Sequence, residues 1–99
     1  MINLTAIVGF KWDVGNARKS VDKHDVSQSE AEQAFFNAPL LLVVDEKHSK
    51  QEARYHALGK TDAARALHIT FTLRSGETLI RVISARDMHK KERAVYEQA

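Results

Sequence analysis

Residues 67–73 set the tightest limit on what this chain can fold into. Leu67, Ile69, Phe71 and Leu73 alternate with His68, Thr70 and Thr72 without a break, the period of a strand with one buried face. Arg74-Ser75-Gly76-Glu77 then reads as a hairpin turn, and Thr78 to Ala85 as the returning strand. The returning stretch, Leu79 to Arg86, is apolar but carries Arg81 and Arg86. A guanidinium on or just past a buried strand must stay solvated or find an anionic partner.

The remaining elements can be placed around that hairpin. Leu40 to Val44 is a continuous apolar run between Pro39 and Asp45, which predicts a strand covered on both faces. Glu52 to Leu58 alternates moderately and stops at Gly59, a second strand. Upstream, Asp13 is placed to cap a helix whose inward stripe is Val14, Ala17 and Val21, with an exit near His24 and Asp25 in a left-handed conformation. Ser27-Gln28-Ser29-Glu30 is a capping box, with Val26 and Ala31 as its hydrophobic staple. It opens a second helix, with Ala31, Ala34 and Phe35 inward, that Pro39 ends. Asp87 is placed to cap a last helix from Met88 to about Glu97, with Met88, Val95 and Tyr96 turned inward. Residues 1–9 read as an N-terminal extension or a short leading strand. The expected order is (β)ααββββα. That is an α+β fold with a small antiparallel sheet of four to five strands, two N-terminal helices and one C-terminal helix, packed in two layers.

Composition narrows the function classes. A chain of 99 residues with 43% hydrophobic and 28% charged content suits one globular domain over residues 1–99. No apolar run approaches the roughly 20 residues of a membrane span. Met1 to Phe10 lacks the basic start and small-residue cleavage site of a signal peptide. The absence of cysteine excludes disulfides and thiolate catalysis and fits a cytoplasmic protein. There is no phosphate-cradling glycine loop, and the five histidines form no HExxH or zinc pattern, so no metal site and no cofactor are expected. The net charge is +2, and between Arg74 and Arg93 six basic residues face three acidic ones. That excess favours an anionic partner such as RNA.

Several residues can be read two ways. Arg81 and Arg86 either clamp a phosphate and stabilise its charge, or form ion pairs with Glu92 or Glu52. His48, in the polar loop beside Ser49, is either a general acid or base or a loop cap. Lys23 and His24 either touch phosphate or serve the helix C-terminus, where cations are favoured. His68 is either part of a sheet-surface site or an ordinary strand residue. Tyr96 is a core plug or a base contact, and Phe10 and Trp12 read as core.

At this point the ordered fragments resemble a known family. Phe10-Lys11-Trp12-Asp13, Lys23-His24, Val26-Ser27 with Glu30-Ala31, and Phe36 resemble the opening of the BrnT family. Asp45…His48-Ser49…Glu52…Arg54-Tyr55…Gly59 is similar to its middle, and Arg81-Val82-Ile83-Ser84-Ala85-Arg86 with Glu92-Arg93 and Tyr96 to its ending. The resemblance implies a RelE-like fold and a ribonuclease toxin of a type II toxin–antitoxin module, which arrests translation. Its implied partner is a BrnA-type DNA-binding antitoxin that neutralises the toxin and carries operator DNA. It also implies metal-independent attack by the ribose 2′-hydroxyl. Arg81 and Arg86 would hold the phosphate and His48 would act as acid or base, while Lys23, His24 and Arg54 match recurring positions and would contact RNA. His68 on the polar strand face and Lys90 in the basic end of the chain are expected RNA contacts from the residues alone. The chain departs from the family at Asn16, where lysine is common, at Ser20, where asparagine is, and at Asp25, where glycine is. Those departures keep an alternative open, a weak or inactive homologue that acts as binding partner and co-repressor of its antitoxin.

Overall fold

The alternating stretch forms the centre of a five-stranded sheet with order β1-β5-β4-β3-β2. The structure, a computed structural model, describes residues 3–99. In chain order its elements are β1 (Gly9–Phe10), α1 (Lys19–His24), α2 (Gln28–Gln33), β2 (Leu41–Val44), β3 (Arg54–Lys60), β4 (Ala66–Arg74), β5 (Leu79–Asp87) and α3 (Lys90–Glu97). Single 3-10 turns lie at Leu4–Ala6 and Glu46–His48. The α+β class and the order (β)ααββββα hold. β2 to β5 form the antiparallel meander, while β1 pairs parallel with β5 and makes the sheet mixed at that edge. Of the leading segment, residues 1 and 2 lie outside the described residues. No helix among the described residues is long and apolar enough to cross a membrane.

One sheet face, with Tyr55, Ala57, Leu67, Ile69, Phe71, Ile80, Val82 and Ala85, packs against Val26, Ala31 and Ala34 from the α1–α2 side. α2 starts as its capping box dictates. Ser27 Oγ accepts from the Glu30 N–H, and Glu30 Oε1 accepts from the Ser27 N–H, both at 3.0 Å. The staple residues Val26 and Ala31 are each 1% exposed. Asp25 takes the left-handed exit with φ of 54°. β3 does not stop at Gly59 but runs to Lys60. Glycine is needed there because the end of α2 lies on the strand: a Cβ would stand 2.5 Å from the Ala34 carbonyl oxygen.

The helix bounds differ from expectation: α1 opens at Lys19 with Arg18, not Asp13, at its cap, and α2 ends at Gln33, well before Pro39. Four further expectations are corrected. The first concerns the inward stripe expected for the first helix. Val14 and Asn16 lie in the turns ahead of α1; Val14 is fully exposed, and the buried residues are Asn16 there and Ser20 in α1. β1 covers β5 only at Leu79 and Ile80, so the rest of that edge needs other partners. Asn16 Nδ2 donates to the Val82 carbonyl at 2.8 Å, and Ser20 Oγ accepts from the Ala85 N–H at 2.7 Å. Polar side chains are buried here because they complete a ladder.

The second correction concerns layering. α3 lies on the opposite sheet face from α1 and α2, where Met88 and Tyr96 pack with Ala66, Leu41 and Leu58. There are three layers, not two. Val95 points to solvent, and the Tyr96 hydroxyl donates to the Pro39 carbonyl at 2.6 Å. The third concerns capping. α3 is capped at His89, whose N–H donates to Glu92 Oε1 at 2.8 Å. Asp87 instead takes Arg65, at 2.7 Å. The fourth concerns β2. Leu41 and Leu42 pack against opposite faces' clusters, but Val43 and Val44 are exposed. The run is covered on both faces only in its first half.

Candidate active site

Arg81 and Arg86 are five positions apart, and in a regular strand an odd spacing sends side chains to opposite faces. The register removes that conflict. Thr70 pairs with Ser84 but Phe71 pairs with Val82, so Ile83 is an extra residue in β5. This bulge returns Arg86 to the face of Arg81, with Arg81 opposite Thr72 and Arg86 opposite His68. It is the face that α3 covers only in part. Four β4 positions separate the two cross-strand partners, about 13 Å at ordinary strand rise, so the arginines address different points on that face.

A row of polar contacts crosses the uncovered part. Asp45 ends β2 and caps the following 3-10 turn, accepting the His48 N–H at 3.2 Å. Its Oδ2 lies 3.0 Å from His48 Nδ1 and 2.9 Å from His56 Nε2, so one carboxylate serves two imidazoles. His56 Nδ1 is 3.1 Å from Thr70 Oγ1. Both His56 nitrogens are therefore engaged, while His48 keeps Nε2 free on a side chain that is 56% exposed. The His56 and His68 rings stand 4.8 Å apart between centroids. His68 Nε2 is 3.8 Å from Glu92 Oε2, and Glu92 binds Arg86 through both oxygens, at 2.8 and 2.9 Å.

The charges along the row follow from these contacts. Burial pushes the Asp45 carboxyl up, but the hydrogen bonds from His48 and His56 outweigh it and hold it below the usual carboxylate value. Burial, helped by the nearby Arg86 charge, pulls His68 down to about 4, so its ring is neutral at pH 7. The Arg86 hydrogen bonds hold Glu92 down to about 2, so that partner stays ionised. Arg81 is anchored separately. Its Nη2 donates to Asp13 Oδ1 at 2.9 Å, and that hydrogen bond lowers the Asp13 carboxyl.

The structure gathers some of the candidate residues and separates others. His48, His68 and Arg86 belong to the row. Arg54 lines, with Lys47, His48 and Lys50, an open cleft of about 430 Å³ beside it. Lys90 is exposed at the start of α3, two positions before Glu92. Lys23 and His24 are exposed at the end of α1. The His24 carbonyl accepts from Arg65, which also holds Asp87, so that pair stands by the Asp87 end of β5, outside the row. Glu92 is the partner of Arg86; Glu52 pairs with Arg74 instead of either site arginine. The position of Asn16 is a strand-edge cap, 4% exposed, rather than an RNA-facing one.

His56 and Arg65 fall in no motif, and Asp45 stands in the family-like run without a role assigned to it. Asp45 carried a faint signal, an Asp three positions before His48 at a turn. His56 reaches Asp45 only because Val44 pairs with Tyr55, a register no spacing reveals. Arg65 clamps Glu30, Asp87 and the carbonyls of His24 and Asp25, and lies in a turn without a motif. Among the described residues, no three histidine or acidic groups are arranged to hold a metal ion.

The arrangement can hold an anion at Arg86 and move a proton at His48 Nε2, on an open face with a basic border. Residues 12–92 match the family described as the ribonuclease toxin BrnT of type II toxin–antitoxin systems. The match covers most of the chain, and the chain belongs to that family. Membership makes it a ribonuclease toxin with an antitoxin partner. No curated protein matches the chain.

Proposed function

We propose, from that membership, that the polar row on the open sheet face is where RNA is cut, by metal-independent attack of a ribose 2′-hydroxyl. The observation that carries this reading is the pairing of His48 Nδ1 with Asp45, which leaves Nε2 exposed. With Nδ1–H donated to the carboxylate, Nε2 holds the lone pair of a general base. It takes the 2′-hydroxyl proton; the 2′-oxygen bonds to phosphorus and the bond to the 5′-oxygen breaks. The products are a 2′,3′-cyclic phosphate and a 5′-hydroxyl that takes its proton from water. Arg86, held flat by Glu92, stabilises the charge that builds on the phosphoryl oxygens. Because the nucleophile belongs to the substrate, positioning and charge stabilisation carry most of the task. Arg54 and Lys90 meet flanking phosphates, Arg81 a more distant one, and His68 fixes the floor between them. Lys23 and His24 extend the basic border around the end of β5. The chain works in the cytoplasm as one toxin domain, and a BrnA-type antitoxin with its own DNA-binding part silences it by covering this face.

The test is an RNA cleavage assay on purified wild type, His48→Ala and Arg86→Ala, with and without EDTA. The expected result is cyclic-phosphate ends from the wild type in both buffers and little cleavage by either folded variant. Cleavage that disappears with EDTA would overturn the metal-free route. Intact RNA from a wild type that binds its antitoxin tightly would select the co-repressor reading instead.

A further inference from the structure

A second hollow lies next to the His56–His68 pair, between β2 and α3. Its volume is about 250 Å³, below the roughly 300–1,000 Å³ of clefts that enclose whole drug-sized ligands. Leu41, Leu58, Val43, Val95, His56, His68 and Glu92 line it. Val43 and Val95 are 60% and 59% exposed, so neither serves a core, yet both border the same hollow. The polar atoms around it are largely engaged. His56 uses both nitrogens, on Asp45 and Thr70. Glu92 accepts from Arg86 and from the His89 N–H. What the hollow offers is apolar wall and imidazole ring face.

Its neighbours differ in character. Arg86 stands behind Glu92 on one side; on the other, beyond His56, lie His48 and Arg54. A largely apolar slot, with the Arg86-paired Glu92 carboxylate in its wall and Arg86 and Arg54 beyond its two ends, matches single-stranded RNA, in which flat neutral bases alternate with charged phosphates and can be turned out of the stack. Resting on the cleavage reading above, we propose that this hollow receives one unstacked nucleobase beside the scissile phosphate, and that Val43 and Val95 make the enzyme prefer a purine there. A purine covers more of the apolar wall than a pyrimidine. The His56 nitrogens are committed, so the preference rests on ring size; the His68 ring, 3.8 Å from Glu92, is the wall group that can also meet a base edge. A paired base cannot enter, so the slot also selects unpaired RNA.

The test uses the full chain with Val43→Asp or Val95→Asp, each at an exposed position, with thermal melts to confirm folding. Two readouts are needed. One is kcat/KM on single-stranded oligoribonucleotides that differ only in the bases flanking the cut. The other is affinity for the same strands carrying a 2′-deoxy sugar at the cut, which blocks attack. Each variant should lower kcat/KM on purine strands about 10-fold, the scale of one lost stacking contact, and should level the purine preference. Unchanged rates and preference in both variants, or a wild type that cuts purine and pyrimidine strands equally, would overturn the proposal. If the wild type cuts nothing, the cleavage reading falls alone, and the deoxy strands decide this one. Weaker binding by the variants upholds the slot, and equal binding removes it. Variants that keep their RNA affinity but lose antitoxin binding would overturn the slot and give the hollow to a protein partner.

Discussion

The Arg86 guanidinium meets Glu92 edge to edge, Nη1 on Oε1 at 2.8 Å and Nη2 on Oε2 at 2.9 Å. The same carboxylate accepts the His89 N–H that opens α3. One acid therefore locks a sheet arginine to the helix that partly roofs it. An ion pair and a phosphate contact are compatible at such a residue. The pair fixes the guanidinium plane, and Nη1 also donates to the Asp87 carbonyl at 3.0 Å. Nε–H and the second Nη2 hydrogen are left for an anion, the preorganisation a small site needs.

Arg86→Ala should lower kcat for RNA cleavage about 100- to 1,000-fold, the usual loss when one fixed donor to a developing oxyanion is removed. Arg86→Lys should not restore it, because a lysine cannot reproduce the two-pronged contact. Glu92→Gln should cost less activity and roughly 1–3 kcal/mol of stability. Single-turnover cleavage and denaturant melts measure these effects. Full toxicity of Arg86→Ala in cells would remove the arginine from the mechanism.

Asp45 holds His48 and His56 together, so its removal separates orientation from binding. Asp45→Asn should lower kcat at least about 10-fold with little change in KM, and His48→Ala about 100-fold or more, the range for a lost general base. Gel-shift affinity for an uncleavable RNA should stay near wild type in both. A loss confined to affinity would show that these residues only bind.

Acid should weaken the fold in a definite order. His68 has a folded pKa of about 4 against an ordinary value of 6.5. Between those values the unfolded chain holds the extra proton, so stability rises with pH across the window. It is fully present above pH 6.5 and is lost as pH falls toward 4. The loss is on the order of 2–3 kcal/mol. Glu92, depressed from 4.5 to about 2, adds a second loss below pH 4.5. Urea melts from pH 7.5 to 4 should show the first slope, and His68→Phe should flatten it. An unchanged slope in that variant would place the titrating group elsewhere.

Much of the fold is legible from local chemistry. The period of β4, the Ser27 capping box and the left-handed Asp25 each depend on a few neighbouring residues, and each appears where those residues put it. What is not legible depends on register. The bulge at Ile83 has no signature in Val82-Ile83-Ser84, yet it decides that Arg81 and Arg86 share a face. The Asp45–His56 contact exists only once β2 is laid against β3. Met88 and Tyr96 are apolar whichever sheet face they meet, so the third layer is silent in the sequence.

Asn16 and Ser20 look solvent-facing in sequence and are 4% and 8% exposed. Asn16→Ala would leave the Val82 carbonyl, and Ser20→Ala the Ala85 N–H, without its side-chain partner. Each should cost about 1–3 kcal/mol and speed amide exchange along β5. Denaturant melts with hydrogen exchange provide the measurement. Neutral effects would mean that water replaces both side chains at that edge.

Two glycines should respond in opposite ways. At Gly59 a Cβ would stand 2.5 Å from the Ala34 carbonyl oxygen and 3.2 Å from its carbon. Those are backbone atoms at the end of α2, and they cannot move aside as a flexible side chain can. Gly59→Ala should therefore cost on the order of 1–3 kcal/mol, as overpacking does, by pushing α2 off β3. Gly76 lies in the hairpin turn with φ of +66° and nothing within 4 Å of its Cβ position. Asparagine tolerates that conformation, so Gly76→Asn should change stability by less than about 1 kcal/mol. Melting both variants beside the wild type decides the matter. A stable Gly59→Ala would mean that the helix–strand contact yields more easily than its geometry indicates.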